Sequence, residues 1–199
     1  MWKYTSYVRK GLSHEILGTD CQDRVVVCET PECIVAVLSD GLGSLENSAV
    51  AADVATRAVA EHFLSGKQTK EAISNPEGME ELTQNLIGIV QSQIGEKATE
   101  LELSTGTMDC TLGFVCVYKL EGYAIIGRLG DSAVCIIKKE GSIVINDPSI
   151  SANGTSAVLD EDAAQCLRIH ICDLDAEDVQ GFILSSDGLD DEVYMKGSR

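Results

Sequence analysis

The sequence predicts an α+β fold in which helices pack on antiparallel sheets. Strand-like segments come first along the 199 residues, two long helical segments follow, and further strand-like segments fill the rest of the chain. Short turns that contain glycine separate the later strands, which is typical of antiparallel pairing. Strands and helices do not alternate, so a doubly wound parallel sheet is not expected.

Three strands are predicted near the N-terminus. Residues 2–9 form the first, and residues 24–29 and 33–39 form two more, joined by a turn around Pro31. The segment 33–39 is almost entirely apolar, so we expect it to be buried on both faces of its sheet.

Two helices follow, because the apolar side chains then recur every three or four residues. The first is predicted over residues 46–64, with Ser44 as its N-cap. The second is predicted over residues 77–98, where the apolar side chains form one stripe. A stripe of this kind buries one face of a helix against a sheet or another helix.

The rest of the chain is predicted to form mainly strands. Residues 147–165 are polar and predict a loop, whereas residues 166–172 alternate between apolar and polar side chains, which indicates a half-buried strand. Residues 181–186 predict a last, apolar strand. A meander of four strands precedes them, over residues 110–118, 122–129, 133–139 and 142–146.

Length and charge limit the domain count and the partners. The length suits a single domain over residues 1–199. Lys plus Arg total 15 and Asp plus Glu total 32, which gives a formal charge of −17 without any basic cluster. No nucleic acid and no anionic membrane is expected as a partner, because binding to either depends on clustered Lys and Arg. The sequence shows no secretory signal and no apolar run of about 20 residues, so no membrane span is expected.

The sequence contains eight cysteines and no Cys-x-x-Cys pair. Most of them lie in apolar, strand-like segments, where a free thiol behaves as a small hydrophobic group. We interpret them as reduced core residues of a cytoplasmic protein rather than as a disulfide framework or a zinc site.

Three motifs share one design, in which a strand ends in an aspartate that a turn residue follows directly. The aspartates are Asp40, Asp131 and Asp187, and Gly41 follows the first of them. An Asp-Gly pair is a common turn signal, so each motif alone also has a purely structural interpretation. Their repetition favours a site for divalent cations, because carboxylate and backbone carbonyl oxygens are the ligands that Mg²⁺ and Mn²⁺ prefer.

The order and the sequence of these motifs resemble those of the metal-dependent PPM-type, or type 2C, serine/threonine protein phosphatases, and of a bacterial branch in particular. The resemblance extends over residues 11–191. It implies a four-layer αββα sandwich, in which helices flank two antiparallel sheets and metal ions lie in a cleft at one end. The matching segments are Gly18-Thr19-Asp20-Cys21-Gln22-Asp23-Arg24, Ser39-Asp40-Gly41-Leu42-Gly43-Ser44, Gly130-Asp131-Ser132 and Ser185-Ser186-Asp187-Gly188-Leu189.

The resemblance also implies a role for each matching residue. Asp40 is expected to bridge two Mn²⁺ or Mg²⁺ ions, and Gly41 to offer its backbone carbonyl to one of them. Asp187 is expected to bind the other ion, and Asp23 to lie in or beside the coordination shell. Asp131 is expected to help hold a third, weaker ion.

The implied reaction is metal-dependent hydrolysis of phosphoserine or phosphothreonine in proteins by a water that bridges two ions. Asp40, Asp187 and His14 form the predicted catalytic set. The family's phosphate-contacting arginine has no clean match, and His14 is nearest to its position. The alternatives for this contact are Arg9, Lys10 and Arg24. The expected partners are a phosphorylated protein substrate and a cognate serine/threonine kinase.

Other positions depart from the family's pattern. Gln22 replaces a glutamate of many members, and an amide is a poorer metal ligand. Leu42 stands where many eukaryotic members have a histidine that protonates the leaving group. The family usually continues beyond the last motif to a strand that begins with an aspartate ligand, whereas this sequence ends at Arg199. We therefore expect C-terminal elements to be missing, and we interpret Asp190 and Asp191 as the acidic first turn of a helix.

Two alternatives to a protein phosphatase stay open from the sequence. The first is a catalytically impaired, phosphatase-like module that binds a partner, which Gln22 and the short C-terminus favour. The second is a phosphoesterase that uses a two-metal site on small molecules such as nucleotides.

Overall fold

The computed structural model describes residues 2–11, 15–16, 18, 20–66, 70–145, 150–151 and 154–187. Within these residues the strands are β1 (Arg24–Glu29), β2 (Cys33–Ser39), β3 (Leu112–Tyr118), β4 (Tyr123–Leu129), β5 (Ala133–Lys138), β6 (Gly141–Ile145), β7 (Ile150–Ser151), β8 (Gly154–Thr155), β9 (Arg168–Asp173) and β10 (Val179–Ser185). The helices are α1 (Ser48–Ser65), α2 (Lys70–Ile73), α3 (Pro76–Glu100) and α4 (Ala163–Cys166), and Thr105–Thr107 form one turn of 3₁₀ helix.

The strands form two antiparallel sheets and one short hairpin. The larger sheet has the order β1-β2-β3-β4-β9, the smaller sheet has the order β10-β5-β6, and β7 pairs with β8. Every neighbouring pair runs antiparallel. The prediction of an α+β fold with two antiparallel sheets flanked by helices is confirmed.

The larger sheet is buried on both faces. On one face Val35 and Phe114 pack in a cluster with α1 and α3. On the other face Val115 and Ile126 pack in a second cluster with Val134 of the smaller sheet. β2 is apolar along nearly its whole length for this reason, as its sequence predicts.

Small residues let α1 lie close to the larger sheet. Ala51 and Ala55 are fully buried on the face of α1 that contacts β1 and β2. α3 packs in turn against α1. It begins where the Asn75 side chain accepts a hydrogen bond from the Gly78 N–H, which satisfies one of the free donors of the first helical turn.

The prediction of a strand over residues 2–9 is wrong. Tyr4 and Tyr7 in this segment are 54% and 84% exposed, and its backbone forms no hydrogen bond with the described residues. Trp2 is packed instead, because its ring stacks on Phe182 of β10 with a centroid distance of 5.9 Å. Aromatic and β-branched residues favour a strand only where a neighbouring strand supplies a ladder, and this segment has none among the described strands.

Some element boundaries also differ from the prediction. α1 begins after Asn47 rather than Ser44, because the preceding residues are fixed in turns and the Asn47 N–H donates to the Thr107 carbonyl. In its described part, the predicted loop 147–165 contains β7, β8 and α4. The turn of helix α4 delays the start of β9 to Arg168.

Some predictions fall outside the described residues. They concern His14, Asp190, Asp191 and the chain end up to Arg199. Among the helices in the described part of the chain, none is both long and apolar enough to cross a membrane.

Candidate active site

Antiparallel pairing brings Asp23 and Asp40 to the same end of the larger sheet. In the β1–β2 hairpin the first residue of β1, Arg24, is opposite the last residue of β2, Ser39. Asp23 directly precedes β1 and Asp40 directly follows β2, so the two carboxyl groups are neighbours. The two side chains are close enough to share a hydrogen bond when one of them is protonated.

Asp131 and Asp187 reach the same end from the smaller sheet. Asp131 lies just before β5, whose first residue, Ala133, is opposite Ser185 at the end of β10. Asp187 follows Ser185 by two positions. The charges of both aspartates act on Asp40, and all four aspartates lie at this end of the sandwich.

The environment of Asp40 strongly favours its neutral form. Burial is the largest cause and raises the pKa of Asp40 from 3.8 to about 8, together with the hydrogen bond and the charge of Asp23 and the charges of Asp187 and Asp131. A carboxyl group that keeps its proton near neutral pH can donate the hydrogen bond to Asp23. A divalent cation would reverse this preference, because its charge stabilises the ionised form.

The donors at this end suit a hard divalent cation. Within the described residues, no three His, Cys, Asp or Glu side chains are close enough together to enclose an ion by themselves. Asp23 contacts Asp40, whereas Asp131 and Asp187 act on Asp40 through their charge. Mg²⁺ keeps several waters and commonly binds through one or two carboxylates, so a loose group of oxygens fits it. The ionised form of Asp40, unfavourable among other carboxylates, is the form that such an ion would stabilise.

Gly41 occupies a position with no room for a side chain. A Cβ atom would lie 2.8 Å from Ser48 Oγ and 2.8 Å from the Ser48 backbone carbon. The Gly41 N–H donates to the Gln22 carbonyl at 3.3 Å, and Gly41 also forms a β-bridge with Cys110. The Leu42 N–H donates to the Asp109 carbonyl at 3.1 Å, which holds the peptide whose carbonyl the resemblance implies as a metal ligand.

The side chain of Gln22 holds the loop between β2 and α1. Its Nε2 donates to the Leu45 carbonyl at 3.1 Å and to Ser48 Oγ at 2.6 Å. The same Ser48 packs against Gly41. Sequence reasoning treated Gln22 as a weakened metal ligand, and the structure gives its amide nitrogen a positioning role.

Thr111 is a site residue that sequence reasoning missed. Its N–H donates to the Asp40 carbonyl at 2.8 Å, and its hydroxyl accepts from the Asp40 N–H at 3.1 Å. The same hydroxyl lies 3.2 Å from Ser132 Oγ, and Ser132 directly follows Asp131. Thr111 therefore holds the backbone of Asp40 and connects it to the turn at Asp131.

These residues line a cleft of about 1040 Å³ at the end of the sandwich. The four aspartates and Leu42 line it together with residues 7–11, which include Arg9 and Lys10. Arg24 does not line the cleft. Its guanidinium donates to the backbone carbonyls of Cys21 and Asp23 at 2.7 and 2.8 Å. Of the alternatives for the phosphate contact, Arg9 and Lys10 are therefore in place and Arg24 is not.

Comparison with known proteins agrees with this architecture. The family described as protein phosphatase 2C matches residues 10–198. Comparison with curated proteins finds no match. Among solved structures, the serine/threonine phosphatase Stp1 from Staphylococcus aureus has a TM-score of 0.63 and 19% identity, over 89% of this chain and 74% of that chain. A mutant of a bacterial serine phosphatase has a TM-score of 0.63 and 20% identity over the same shares, 89% and 74%.

A third similar structure is that of RsbX in complex with magnesium, with a TM-score of 0.52 and 14% identity, over 86% of this chain and 68% of that chain. At such identities the solved structures establish the fold alone. The family match is a sequence match, and its range of residues 10–198 includes all four aspartates of the cleft. This chain belongs to the protein phosphatase 2C family.

Proposed function

We propose that this protein hydrolyses phosphoserine and phosphothreonine in phosphorylated proteins, in a reaction that depends on divalent metal ions. The observation that carries the proposal is the partly buried carboxyl group of Asp40, which lines a cleft with three further aspartates; burial and these neighbours raise its pKa to about 8. A cation among these oxygens would stabilise the ionised form of Asp40. The family match supports a phosphatase rather than another metal-dependent activity.

Asp40, Asp187 and the backbone carbonyl of Gly41 are the proposed ligands of two Mn²⁺ or Mg²⁺ ions. Asp23 lies in or beside the coordination shell, and Asp131 helps to hold a third, weaker ion. When bound, such ions supply an activated water near neutral pH and neutralise charge on the phosphoryl oxygens. RsbX, one of the structural neighbours, was crystallised in complex with magnesium.

Residues of the cleft wall position the phosphate. Arg9 and Lys10 place positive charge at the cleft, and His14 is the further candidate from the sequence. Leu42 lines the same cleft and has no proton to give. The leaving alkoxide therefore takes its proton from water or from another residue of the cleft.

The proposed setting is the cytoplasm, where one domain over residues 1–199 acts on phosphorylated proteins. All eight cysteines are free thiols and five of them are buried, which suits a reducing compartment. Because its substrates must first be phosphorylated, a serine/threonine kinase is the expected partner.

The direct test measures hydrolysis of a phosphothreonine peptide and of p-nitrophenyl phosphate, with Mn²⁺ and with EDTA. Turnover is expected in Mn²⁺ and not in EDTA. Asp40→Asn and Asp187→Asn are each expected to lower kcat by about 100-fold or more. Asp175→Asn is the matched control. Asp175 is exposed in the turn between β9 and β10, at the opposite end of β10 from the cleft.

The outcomes separate the three functions. Metal binding without turnover of either substrate would support the impaired binding module. Turnover of nucleotides but not of the peptide would support a small-molecule phosphoesterase. Equal peptide hydrolysis in Mn²⁺ and in EDTA would contradict the proposal.

A further inference from the structure

Residues 2–11, the N-terminal segment, are basic in an acidic chain. They contain three basic residues, Lys3, Arg9 and Lys10, and no Asp or Glu, so their formal charge is +3. The whole chain has a formal charge of −17. The segment is therefore positively charged in a chain whose net charge is strongly negative.

The N-terminal segment connects the smaller sheet to the cleft. At one end Trp2 stacks on Phe182 of β10, with the ring centroids 5.9 Å apart. At the other end residues 7–11 line the cleft that holds the four aspartates. An extended chain advances roughly 3.3 Å per residue, so the segment spans up to about 20 Å between Lys3 and Arg9.

The cations of the N-terminal segment have no partner within the described part of the chain. Lys3, Arg9 and Lys10 form neither an ion pair nor a hydrogen bond there, and Tyr7 between them is 84% exposed. Five other cations of the described residues are paired with carboxylates, whereas Arg24 and Arg168 donate to backbone carbonyls and Lys139 has no ion pair there; the five are Arg57, Lys70, Lys97, Lys119 and Lys138. Despite the surplus of carboxylates, Arg9 and Lys10 at the cleft and Lys3 further along the segment stay available to a ligand.

We propose that the N-terminal segment is a docking surface for acidic residues that flank the phosphorylated residue of a protein substrate. The proposal rests on the phosphatase function proposed above and names the substrate class of the same cleft. A peptide whose phosphate enters the cleft would place its neighbouring residues along the segment, where Asp and Glu meet complementary charge. Salt screens charges beyond about 8–10 Å, so carboxylates elsewhere on the chain weaken this attraction little. The nearby negative charges are Glu15 and the four aspartates of the cleft itself, which bound divalent cations would neutralise.

A peptide fits the segment better than a polyanion does. Binding to a nucleic acid backbone typically uses about 6–10 phosphate contacts, and the segment offers three cations. The remaining surface is strongly acidic and would repel an extended array of phosphates. A phosphopeptide with two or three flanking carboxylates matches both the number of cations and their spread.

The test compares kcat/KM for two phosphothreonine peptides that differ only in their flanks, with Asp and Glu in one and Asn and Gln in the other. Each exposed ion pair contributes about 1.5- to 5-fold, so wild type is expected to prefer the acidic peptide by about 5- to 10-fold. The triple variant Lys3→Gln, Arg9→Gln, Lys10→Gln is expected to bring this ratio close to one. Any effect on phosphate or metal binding is common to both peptides and cancels in the ratio.

Lys139→Gln is the matched control. Lys139 is exposed and directly follows β5 at the end opposite the cleft, so the ratio is expected to stay at the wild-type value. A wild-type ratio near one, or a preference that the triple variant retains, would overturn the docking proposal while leaving the phosphatase intact. Absence of turnover of both peptides would overturn the phosphatase function and with it the docking proposal.

Discussion

At Asp40, burial and neighbouring charge act in the same direction. Both raise the pKa of its carboxyl group to about 8, from 3.8 in an unperturbed aspartate. The penalty for ionising Asp40 falls on the folded protein alone, because the unfolded chain exposes the carboxylate to water. A residue that is unfavourable in the absence of a ligand is typical of functional sites, where stability is given up for binding.

The stability of the metal-free protein is expected to fall as the pH rises from the unfolded pKa of Asp40, near 3.8, to its folded pKa of about 8. In this interval the folded state retains a proton that the unfolded state has lost, so each increase in pH favours unfolding. Urea unfolding in EDTA would measure this dependence. Asp40→Asn is expected to lack it and to be more stable than wild type above pH 8; parallel pH profiles for the two proteins would contradict the account.

Gln22 is expected to tolerate replacement by glutamate poorly. Gln22→Glu removes the amide donor to the Leu45 carbonyl and to Ser48 Oγ, so the free energy of unfolding should fall by about 1–3 kcal/mol. Gln84→Glu is the control, since it removes an amide donor that is exposed on α3 and bonds to Glu80 Oε1 at 3.0 Å, and it should lower the free energy of unfolding by less than about 1 kcal/mol. Equal effects of the two substitutions would show that the Gln22 amide does not hold the loop.

Among the elements, the contact between β3 and β4 depends on a glycine. Gly127 on β4 is opposite Phe114 on β3, and a Cβ atom at Gly127 would lie 2.1 Å from the Phe114 ring. The ring cannot withdraw easily, because Phe114 is fully buried and packs on Phe63 of α1 at a centroid distance of 5.2 Å. The Phe114 ring therefore packs between the larger sheet and α1 only because residue 127 has no side chain.

Gly127→Ala is expected to lower the free energy of unfolding by about 1–3 kcal/mol or more, because it overpacks a filled core. Gly88→Ala is the matched control on α3. Gly88 is exposed and a Cβ atom there would meet no other atom within 4 Å. This change should raise stability by about 0.5–1 kcal/mol through helix propensity. Chemical denaturation measures both, and an unchanged stability of Gly127→Ala would contradict the packing.

Elements whose own residues determine them could be predicted from the sequence. The apolar run of β2 and the apolar stripe of α3 are local signals, and the structure has these elements at Cys33–Ser39 and Pro76–Glu100. The strand predicted over residues 2–9 failed because a strand also needs a partner elsewhere in the chain. The N-cap of α1 was misplaced because a contact with distant Thr107 fixes the preceding turn.

At the scale of the whole molecule, the sandwich topology assembles the site. Each aspartate of the cleft adjoins the end of a strand, so pairing within each sheet and packing of the two sheets place all four along one cleft, and all four lie in motifs that the sequence analysis singled out. Their supports were not predictable. Thr111 bonds to Asp40 across 71 positions and Gln22 to Ser48 across 26, and such long-range hydrogen bonds leave no periodic signal in a sequence.

The same topology gives the cleft an electrostatic field that suits divalent metal ions and a phosphorylated substrate. Four aspartates line the cleft and the charges of three of them act on Asp40, while residues 7–11 of the basic N-terminal segment line its wall. A cleft with grouped negative charge attracts cations, and positive charge beside it attracts the phosphate of a substrate. The central claim is that the Asp40 carboxylate binds a divalent metal ion in this cleft.

The measurement that tests this claim most directly is anomalous X-ray scattering from Mn²⁺ in crystals of the protein. We predict an anomalous peak at bonding distance from the Asp40 carboxylate and the Gly41 carbonyl oxygen, a second peak beside Asp187, and loss of both peaks in Asp40→Asn crystals. Mn²⁺ bound only elsewhere, or no peak at Asp40 at a Mn²⁺ concentration that supports turnover, would contradict the account.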